Sequence, residues 1–444
     1  MRSPPAALRL AWVCAWLLAP GADLAAQAQP DPQPAAHAGR PVTTVEIAGR
    51  DVTREHVIRR EIQTRPGEPL DAGTLSADLQ RLRNLGIFAE VEAATEADGE
   101  GVRVTFTVRE MPPWIPFLSV AYTEENGFSV GPGISALNLT GRQITLSGRA
   151  EFGGVTQYRA RLLWPWMAGH HVSLELYAAH LERDDVLDAF RERSDELTPS
   201  LGRYLGPHGR LAGTLSLFRM RADVPGKTLS PDGVDQLVRL GVSLGWDTRD
   251  AWDAPRRGWL NELELTRTGG FLGGDGDFWT MNLDLRRWQP TGNRQAVLVS
   301  GLLTLQSGVT GQDLPTYLDY HMGGANSIRG YAVEQLGPTL YGKNQLIGTA
   351  EWSFELVPLR RWNFWKWSLR LGLDAAAFGD AGIAWEEPGQ LTLPRARGGL
   401  GAGLRLRVPG TEMIRFDVGW SPTGGFKFHL AALSKPEAQR KRLR

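Results

Sequence analysis

The sequence contains a single cysteine, Cys14, among its 444 residues. Without a second thiol, the chain cannot build a disulfide framework or a thiolate metal site, and a cysteine nucleophile is excluded beyond the N-terminal segment. Long uncharged apolar runs are also absent after that segment, so we expect no membrane-spanning helix. The 49 basic and 49 acidic residues cancel. This balance does not indicate a nucleic-acid partner.

The N-terminus has the order of segments that a secretory signal peptide requires. Arg2 and Arg9 form a basic start, residues 10–18 are apolar, and small residues follow through residue 28. The alternative is a membrane anchor, but the apolar run is much shorter than the ~18 to 20 residues that span hydrocarbon. We therefore interpret residues 1–28 as a signal peptide that is removed on export.

A small α+β module is predicted to follow a proline-rich linker at residues 29–41. Clear helical periodicity occurs only near residues 53–86, where Thr53 and Asp71 are candidate caps for two helices. The Asp98-Gly99 pair indicates a turn between two strands. Residues 42–111 therefore predict the order β-α-α-β-β, with strands at residues 42–47, 88–94 and 102–108.

From Pro113 onward, the hydrophobic period changes to two. Ile414, Phe416 and Val418, for example, alternate with Arg415, Asp417 and Gly419. A soluble sandwich also alternates in this way, but two features favour a transmembrane barrel. The polar positions are repeatedly charged, as a wet lumen permits, and short and long connections alternate. Aromatic residues at strand ends suggest interfacial girdles: Trp164, Trp166, Trp288, Trp362, Trp365 and Trp367.

Residues 113–434 are thus predicted to form an antiparallel β-barrel of about 16 strands, an even number as in bacterial barrels. The strand boundaries within residues 181–211 stay open, because the charges there fit either a strand or a loop. The basic residues 435–444 are interpreted as a solvated periplasmic tail. The fold class is therefore mainly β, with a small α+β domain ahead of a barrel.

The stretch between the eleventh and twelfth predicted strands reads GGANSIRGY at residues 323–331. It resembles the sixth-loop signature of the Omp85 superfamily, and Ile328, Arg329, Gly330 and Tyr331 match its motif. Asp247, Arg249, Asp250, Pro255 and Gly258 resemble the family's turn motif. Glu351 resembles its twelfth-strand pattern, and Phe378 with Asp380 its thirteenth-strand pattern. The small module is similar to a single POTRA domain, so the resemblance covers nearly all of the mature chain.

Strand parity places Glu351, Phe378 and Asp380 on the lumenal face of the predicted barrel. A loop that folds into the lumen would bring Arg329 to both carboxylates, where a guanidinium makes bidentate bonds. The resemblance implies the same contact. The alternative is a solvated loop arginine, which the motif alone would not exclude.

The resemblance implies a non-enzymatic factor that inserts or exports proteins at the bacterial outer membrane, with the POTRA domain in the periplasm. The expected partners are outer-membrane lipids including lipopolysaccharide, periplasmic accessory proteins, and unfolded clients. Clients would bind the POTRA sheet edge and the seam between first and last strands, which Pro116 weakens. The alternatives are a channel or surface-antigen barrel, and a two-partner secretion transporter. Such transporters usually have two POTRA domains and a plug helix ahead of them, and the proline-rich segment before residue 42 is a poor helix, which argues against this alternative.

Three local patterns suggest other chemistry and are set aside. The GVSLG stretch at residues 241–245 fits a hydrolase motif but lies in a strand with no following helix. His170 and His171 would point to opposite faces of a strand, so we place them at a turn. The glycine- and aspartate-rich residues 273–277 lack the spaced ligands of a calcium loop. We expect no cofactor, no metal and no catalytic residue.

Overall fold

The computed structural model describes residues 37–432, except for 124–125, 169–170, 186, 188, 253, 365–366 and 408–412. The predicted signal peptide, most of the predicted linker and the basic tail lie outside the described residues. No helix within the described chain is long and apolar enough to cross a membrane.

The N-terminal domain is a three-stranded sheet covered by two helices. Its elements in chain order are β1 (Val42–Ala48), α1 (Glu55–Arg59), α2 (Ala72–Asn84), β2 (Phe88–Asp98) and β3 (Gly101–Glu110). The strand order is β1-β3-β2, with β1 parallel and β2 antiparallel to β3. Its apolar core is buried between sheet and helices, and its fully buried members include Val57, Ile58, Leu75, Leu82 and Phe106.

The two helix starts differ from each other. The Asp71 carboxylate accepts the Thr74 amide at 2.7 Å, so this residue caps α2 as its sequence position predicts. The cap predicted at Thr53 is wrong, because α1 begins after Arg54 and has no side-chain cap. The Thr53 hydroxyl instead accepts a hydrogen bond from Asn138, beyond the domain. A long-range contact has replaced the local one.

Sixteen antiparallel strands follow and form one sheet in chain order. The strands before the long loop are β4 (Trp114–Thr123), β5 (Gly127–Leu139), β6 (Ile144–Gly153), β7 (Thr156–Ala168), β8 (Val172–Asp185), β9 (Phe190–Leu205), β10 (Gly209–Ala222), β11 (Val234–Asp247), β12 (Gly258–Gly269), β13 (Asp277–Gly292) and β14 (Gln295–Gln306). The loop holds β15 (Tyr320–His321), α3 (Val333–Leu336) and β16 (Tyr341–Gly342). The closing strands are β17 (Asn344–Phe364), β18 (Trp367–Trp385), β19 (Arg397–Arg407), β20 (Ile414–Ser421) and β21 (Gly425–Ala432).

The predicted fold class and strand number are confirmed, and the region left open at residues 181–211 is assigned. It forms the end of β8, all of β9 and the start of β10. The charged residues there extend two long paired strands beyond the apolar part of the wall.

The two faces of the barrel differ as a membrane protein requires. Large apolar side chains are exposed along the outer face, for example Leu118, Phe128, Leu201, Leu244 and Phe426. The inner face carries buried charged groups, among them Asp284, Arg286, Arg405 and Asp417. In a wall of this kind, neighbouring strands pair their backbone groups with one another, while the apolar side chains of the outer face are presented to lipid.

The N-terminal domain contacts the barrel at the turn between β5 and β6. The Gly141 carbonyl accepts the Arg54 amide at 2.9 Å, and the Thr140 carbonyl accepts the Arg54 side chain at 3.3 Å. The Arg60 guanidinium lies 4.4 Å from the centre of the Trp166 ring, at the end of β7. Trp166, which the sequence suggests for an interfacial girdle, therefore packs against the domain.

The domain core generates a prediction. Leu79 lies on the buried face of α2, and replacing it with Asp would bury an unpaired charge. The free energy of unfolding of a domain of this size is about 4 to 10 kcal/mol. We expect the destabilisation caused by Leu79→Asp to exceed it. We expect isolated residues 42–110 to give a dispersed amide spectrum by NMR, and Leu79→Asp to collapse it. Leu79→Met, which conserves volume, should cost less than about 1.5 kcal/mol; a disordered unsubstituted segment would contradict the module.

Candidate functional site

The loop between β14 and β17 folds back onto the inner wall of the barrel. Its tip is held by Ser327, whose hydroxyl donates to the Gly323 carbonyl at 2.8 Å and accepts the Gly323 amide at 2.6 Å. Gly323 has φ +113°, and a Cβ there would press against the Ala332 carbonyl. The tip therefore needs glycine at this position.

This geometry presents Arg329 to the wall of β17 and β18, where its side chain is fully buried. The guanidinium donates to both oxygens of Asp380, from Nε at 2.9 Å and from Nη2 at 3.1 Å. Nη1 donates to Glu351 at 3.0 Å. The Arg329 amide also donates to Asp380, at 3.1 Å. Side chain and backbone of one loop residue are thus fixed to two strands.

Aromatic and hydroxyl groups complete the surroundings of this guanidinium. Its central carbon lies 3.3 Å from the centre of the Phe378 ring, in a cation–π arrangement. The Thr349 hydroxyl donates to Asp380 at 3.1 Å and occupies one of the remaining carboxylate lone pairs. Burial of this kind strengthens each charge-assisted hydrogen bond, because water does not compete for its atoms.

A second set of charges lies next to the first. Asp417 of β20 accepts from Arg329 at 3.1 Å and from Arg405 of β19 at 2.6 Å. Arg405 also makes a two-point contact with Glu351, at 2.9 and 3.1 Å. Arg415 of β20 reaches Asp417 at 3.4 Å and donates to Asn326 of the loop at 3.0 Å.

These six side chains form one unit, which we call the Arg329 cluster. It contains Arg329, Arg405, Arg415, Glu351, Asp380 and Asp417. Three cations face three carboxylates, so the cluster is neutral as a whole. Buried charges are tolerated when they are paired and hydrogen-bonded in this way. The arrangement holds the loop against the inner wall of the barrel.

The neighbouring motif residues attach the loop to the end of the barrel. The Ser421 hydroxyl donates to the Gly330 carbonyl at 2.7 Å, and the Tyr331 hydroxyl lies 3.0 Å from that of Thr423. Ile328 is buried in an apolar cluster against β17 and β18. A Cβ at Gly419 would overlap the Arg329 carbonyl oxygen, so only glycine lets the loop backbone approach β20 this closely.

The turn motif lies apart from the Arg329 cluster, in the connection between β11 and β12. The Arg249 guanidinium donates two hydrogen bonds to the Asp247 carboxylate, at 2.8 and 2.9 Å. The Asp250 carboxylate accepts the amides of residues 251, 256 and 257. Gly258 has φ +109°, and Pro255, which precedes it in the turn, is half-buried. These contacts form a rigid turn, and they do not bring the motif to the loop tip.

Sequence reasoning did not include Arg405, Arg415 or Asp417 among the partners of Arg329. A signal was present, because alternation assigns Arg415 and Asp417 to the lumenal face of their strand. Nothing local, however, specifies which lumenal charges come within reach of a loop that folds in from another part of the chain. Residues 241–245 lie within β11, with no helix after them. In the described chain, no group of His, Cys, Asp or Glu side chains is arranged to hold a metal.

Comparisons with known proteins agree with this architecture. A model of the Omp85 superfamily domain matches residues 138–431, and a POTRA model, described as a surface antigen variable number repeat, matches residues 41–111. The outer membrane protein assembly factor BamA of Nitratidesulfovibrio vulgaris is 22% identical over 391 residues, which cover 85% of this chain and 48% of that protein. BamA of Neisseria meningitidis serogroup B is 23% identical over 447 residues, with 89% and 55% covered. The chain spans about half the length of these curated relatives.

Solved structures show the same fold. The crystal structure of BamA from Haemophilus ducreyi lacking POTRA domains 1–3 aligns with a TM-score of 0.56 at 16% identity, over 88% of this chain and 83% of that one. CdiB from Acinetobacter baumannii aligns with a TM-score of 0.53 at 13% identity, over 89% and 73%. At such identities, the likeness is one of fold.

The geometry of Arg329 generates a prediction. Removing one member of a fully buried charge pair costs about 3 to 5 kcal/mol, because its partners stay buried without a counter-charge. Arg329→Ala should therefore release the loop to external protease while the barrel still assembles and migrates as a folded species on unboiled gels. Arg329→Lys should restore protection only in part, because an ammonium cannot make the two-point contact. Unchanged protease sensitivity in Arg329→Ala would refute the role of this contact.

Asp417 allows a sharper test, since it accepts hydrogen bonds from Arg329 and Arg405 and lies close to Arg415. We expect Arg329→Ala and Asp417→Ala to be non-additive, with a coupling free energy of about 0.5 to 3 kcal/mol. The measurement is the thermal midpoint of the gel-mobility shift for both single variants and the double variant. Asp374→Ala is the matched control, because this lumenal carboxylate pairs with Arg407. Its effect should add to that of Arg329→Ala; additivity at Asp417 would contradict the cluster.

Proposed function

Because the chain belongs to the Omp85 superfamily, we propose that it is a non-enzymatic factor that inserts β-barrel proteins into the bacterial outer membrane. The barrel resides in that membrane, and the POTRA domain lies in the periplasm. We assign residues 42–111 to the POTRA domain and 113–434 to the barrel. The proposal rests above all on the way that the barrel sheet ends.

The seam between β4 and β21 supports this function. The sixteen strands pair in an unbroken order from β21 to β4, yet no ladder joins these two strands within the described residues, although they lie side by side. Pro116 gives β4 one position without a backbone donor. An unpaired strand edge is a template for another strand, so a client strand could add at this seam.

The POTRA sheet offers a second edge on the periplasmic side. β2 is an outer strand of that sheet, pairs only with β3, and runs for 11 residues. An extended client segment can pair with such an edge through its backbone, with little dependence on sequence. This edge would hold clients before they reach the seam. Accessory periplasmic proteins would compete with clients for binding to the same single POTRA domain.

We assign the Arg329 cluster the task of keeping the loop and the C-terminal strands in one arrangement during client entry. β20 carries Asp417 and Ser421, which bind the loop, and it pairs directly with the seam strand β21. The loop therefore supports the wall next to the seam. The same buried loop narrows the lumen, which argues against a wide passive channel.

Depletion of the protein from its own cells, followed by quantitative outer-membrane proteomics, tests this function. We expect the abundance of many β-barrel proteins to fall together, and a plasmid copy to restore them. The Arg329→Ala copy should restore them poorly. Arg203→Gln, which changes an exposed arginine on the outer face of β9, should restore them fully and serves as the control.

The other outcomes of this experiment each identify another function. Loss of one exported protein, with barrels unchanged, would indicate a secretion transporter. No change in any outer-membrane protein would indicate a channel or a surface antigen. Either result would overturn the insertion proposal.

A further inference from the structure

The outer wall of the barrel carries a group of exposed arginines at the end remote from the POTRA domain. They are Arg191 and Arg193 on β9 and Arg219 and Arg221 on β10. We call these four residues the outer arginine patch. The ends of β9 and β10 that are remote from the patch are joined by a turn on the POTRA side of the barrel. The patch therefore lies on the external side of the membrane.

Strand register gives the height of the patch on the wall. A lower row of direct cross-strand neighbours is apolar: Ala178, Leu197, Leu217 and Val238, on β8 to β11. Leu197 and Leu217 are exposed, with no protein covering them. This row faces the hydrocarbon of the membrane.

The next row up has the mixed character of a membrane interface. Tyr158, His180, Asp195 and Arg219 are successive cross-strand neighbours on β7 to β10. The Tyr158 and His180 rings lie 5.8 Å apart, and His180 is 2.8 Å from Asp195. Aromatic rings beside polar groups are typical of the level where hydrocarbon ends. Charges above this row lie among lipid headgroups.

The third row contains Glu182, Arg193 and Arg221 as direct neighbours on β8, β9 and β10. It lies two residues further along each strand, about 7 Å, and the headgroup layer extends about 5 to 7 Å beyond the hydrocarbon. The third row is therefore at headgroup level, with Arg191 just above it.

Within this row, two arginines, Arg193 and Arg221, stand beside one carboxylate, Glu182. Glu182 accepts from Arg191 at 2.7 Å and from Arg193 at 3.1 Å, and Asp184 lies opposite Arg191. The Arg221 side chain makes no hydrogen bond or ion pair within the described part of the chain, and Arg221 stands directly opposite Arg193. Like charges placed opposite each other on a sheet are destabilising. An anion between Arg193 and Arg221 would remove this repulsion.

We propose that the outer arginine patch binds the phosphate of a lipid in the outer leaflet of the membrane. Guanidinium groups bind phosphate oxygens with two parallel hydrogen bonds, and the apolar row directly below accepts the acyl chains of the same molecule. A free phosphate would gain nothing from that apolar row. This binding site goes beyond the proposed function, because it needs neither a client nor the seam.

The test uses the full-length protein in detergent, titrated with bisphosphorylated lipid A and followed by native mass spectrometry. Each arginine near a charged lipid surface contributes enough for about a fivefold change in affinity. Arg193→Gln and Arg221→Gln should each weaken lipid A binding about fivefold, and the double variant should weaken it about 25-fold. Added salt should reduce the difference between the double variant and the unsubstituted protein.

Arg203→Gln is the matched control. Arg203 lies on the same outer face of β9 but at its periplasmic end, opposite Leu211. It should bind lipid A as the unsubstituted protein does, and all variants should keep the gel mobility of a folded barrel. Equal binding by the double variant, or an equal loss in Arg203→Gln, would overturn the proposal. So would equal binding of dephosphorylated lipid A, or binding of inorganic pyrophosphate without lipid A. Insertion activity can fail or persist without affecting these results.

Discussion

The buried guanidinium of Arg329 is the constraint to which much of the barrel is adjusted. Withdrawing such a cation from water costs several kcal/mol unless carboxylates replace the solvent. Asp380, Glu351 and Asp417 supply them from three different strands. The loop must therefore enter the lumen, and the glycine at 419 must admit its backbone. One electrostatic requirement thus ties β17 through β20 to a segment that would otherwise be an external loop.

Most of the fold, and half of the Arg329 cluster, can be predicted from sequence because strand parity is a local property. Alternation over a few residues places Glu351 and Asp380 on the inner face without any knowledge of the tertiary structure. The contribution of Arg405 and Asp417 cannot be predicted in this way. Their approach to Arg329 depends on how the closing strands curve and how far the loop reaches, and both are set by the whole barrel.

The wrong cap in the N-terminal domain has the same physical origin. Thr53 is a good local cap, but its hydroxyl is used by a contact between domain and barrel, and Trp166 is likewise used by such a contact. A helix N-cap side chain stabilises a protein by about 1 kcal/mol. A tertiary hydrogen bond or a cation stacked on an aromatic ring can outweigh a preference of this size. Sequence patterns identify the elements of the domain but do not specify where the domain contacts the barrel.

The docking of that domain has a mechanical consequence. The domain joins the barrel through the short connection before β4, and it also holds the β5–β6 turn through Arg54. These two attachments connect the domain to β4, β5 and β6, and the side of β4 that faces β21 is the free edge of this group of strands. If a client binds the domain as proposed above, a pull on the domain would be transmitted to that edge, and binding in the periplasm would be coupled to the wall of the barrel.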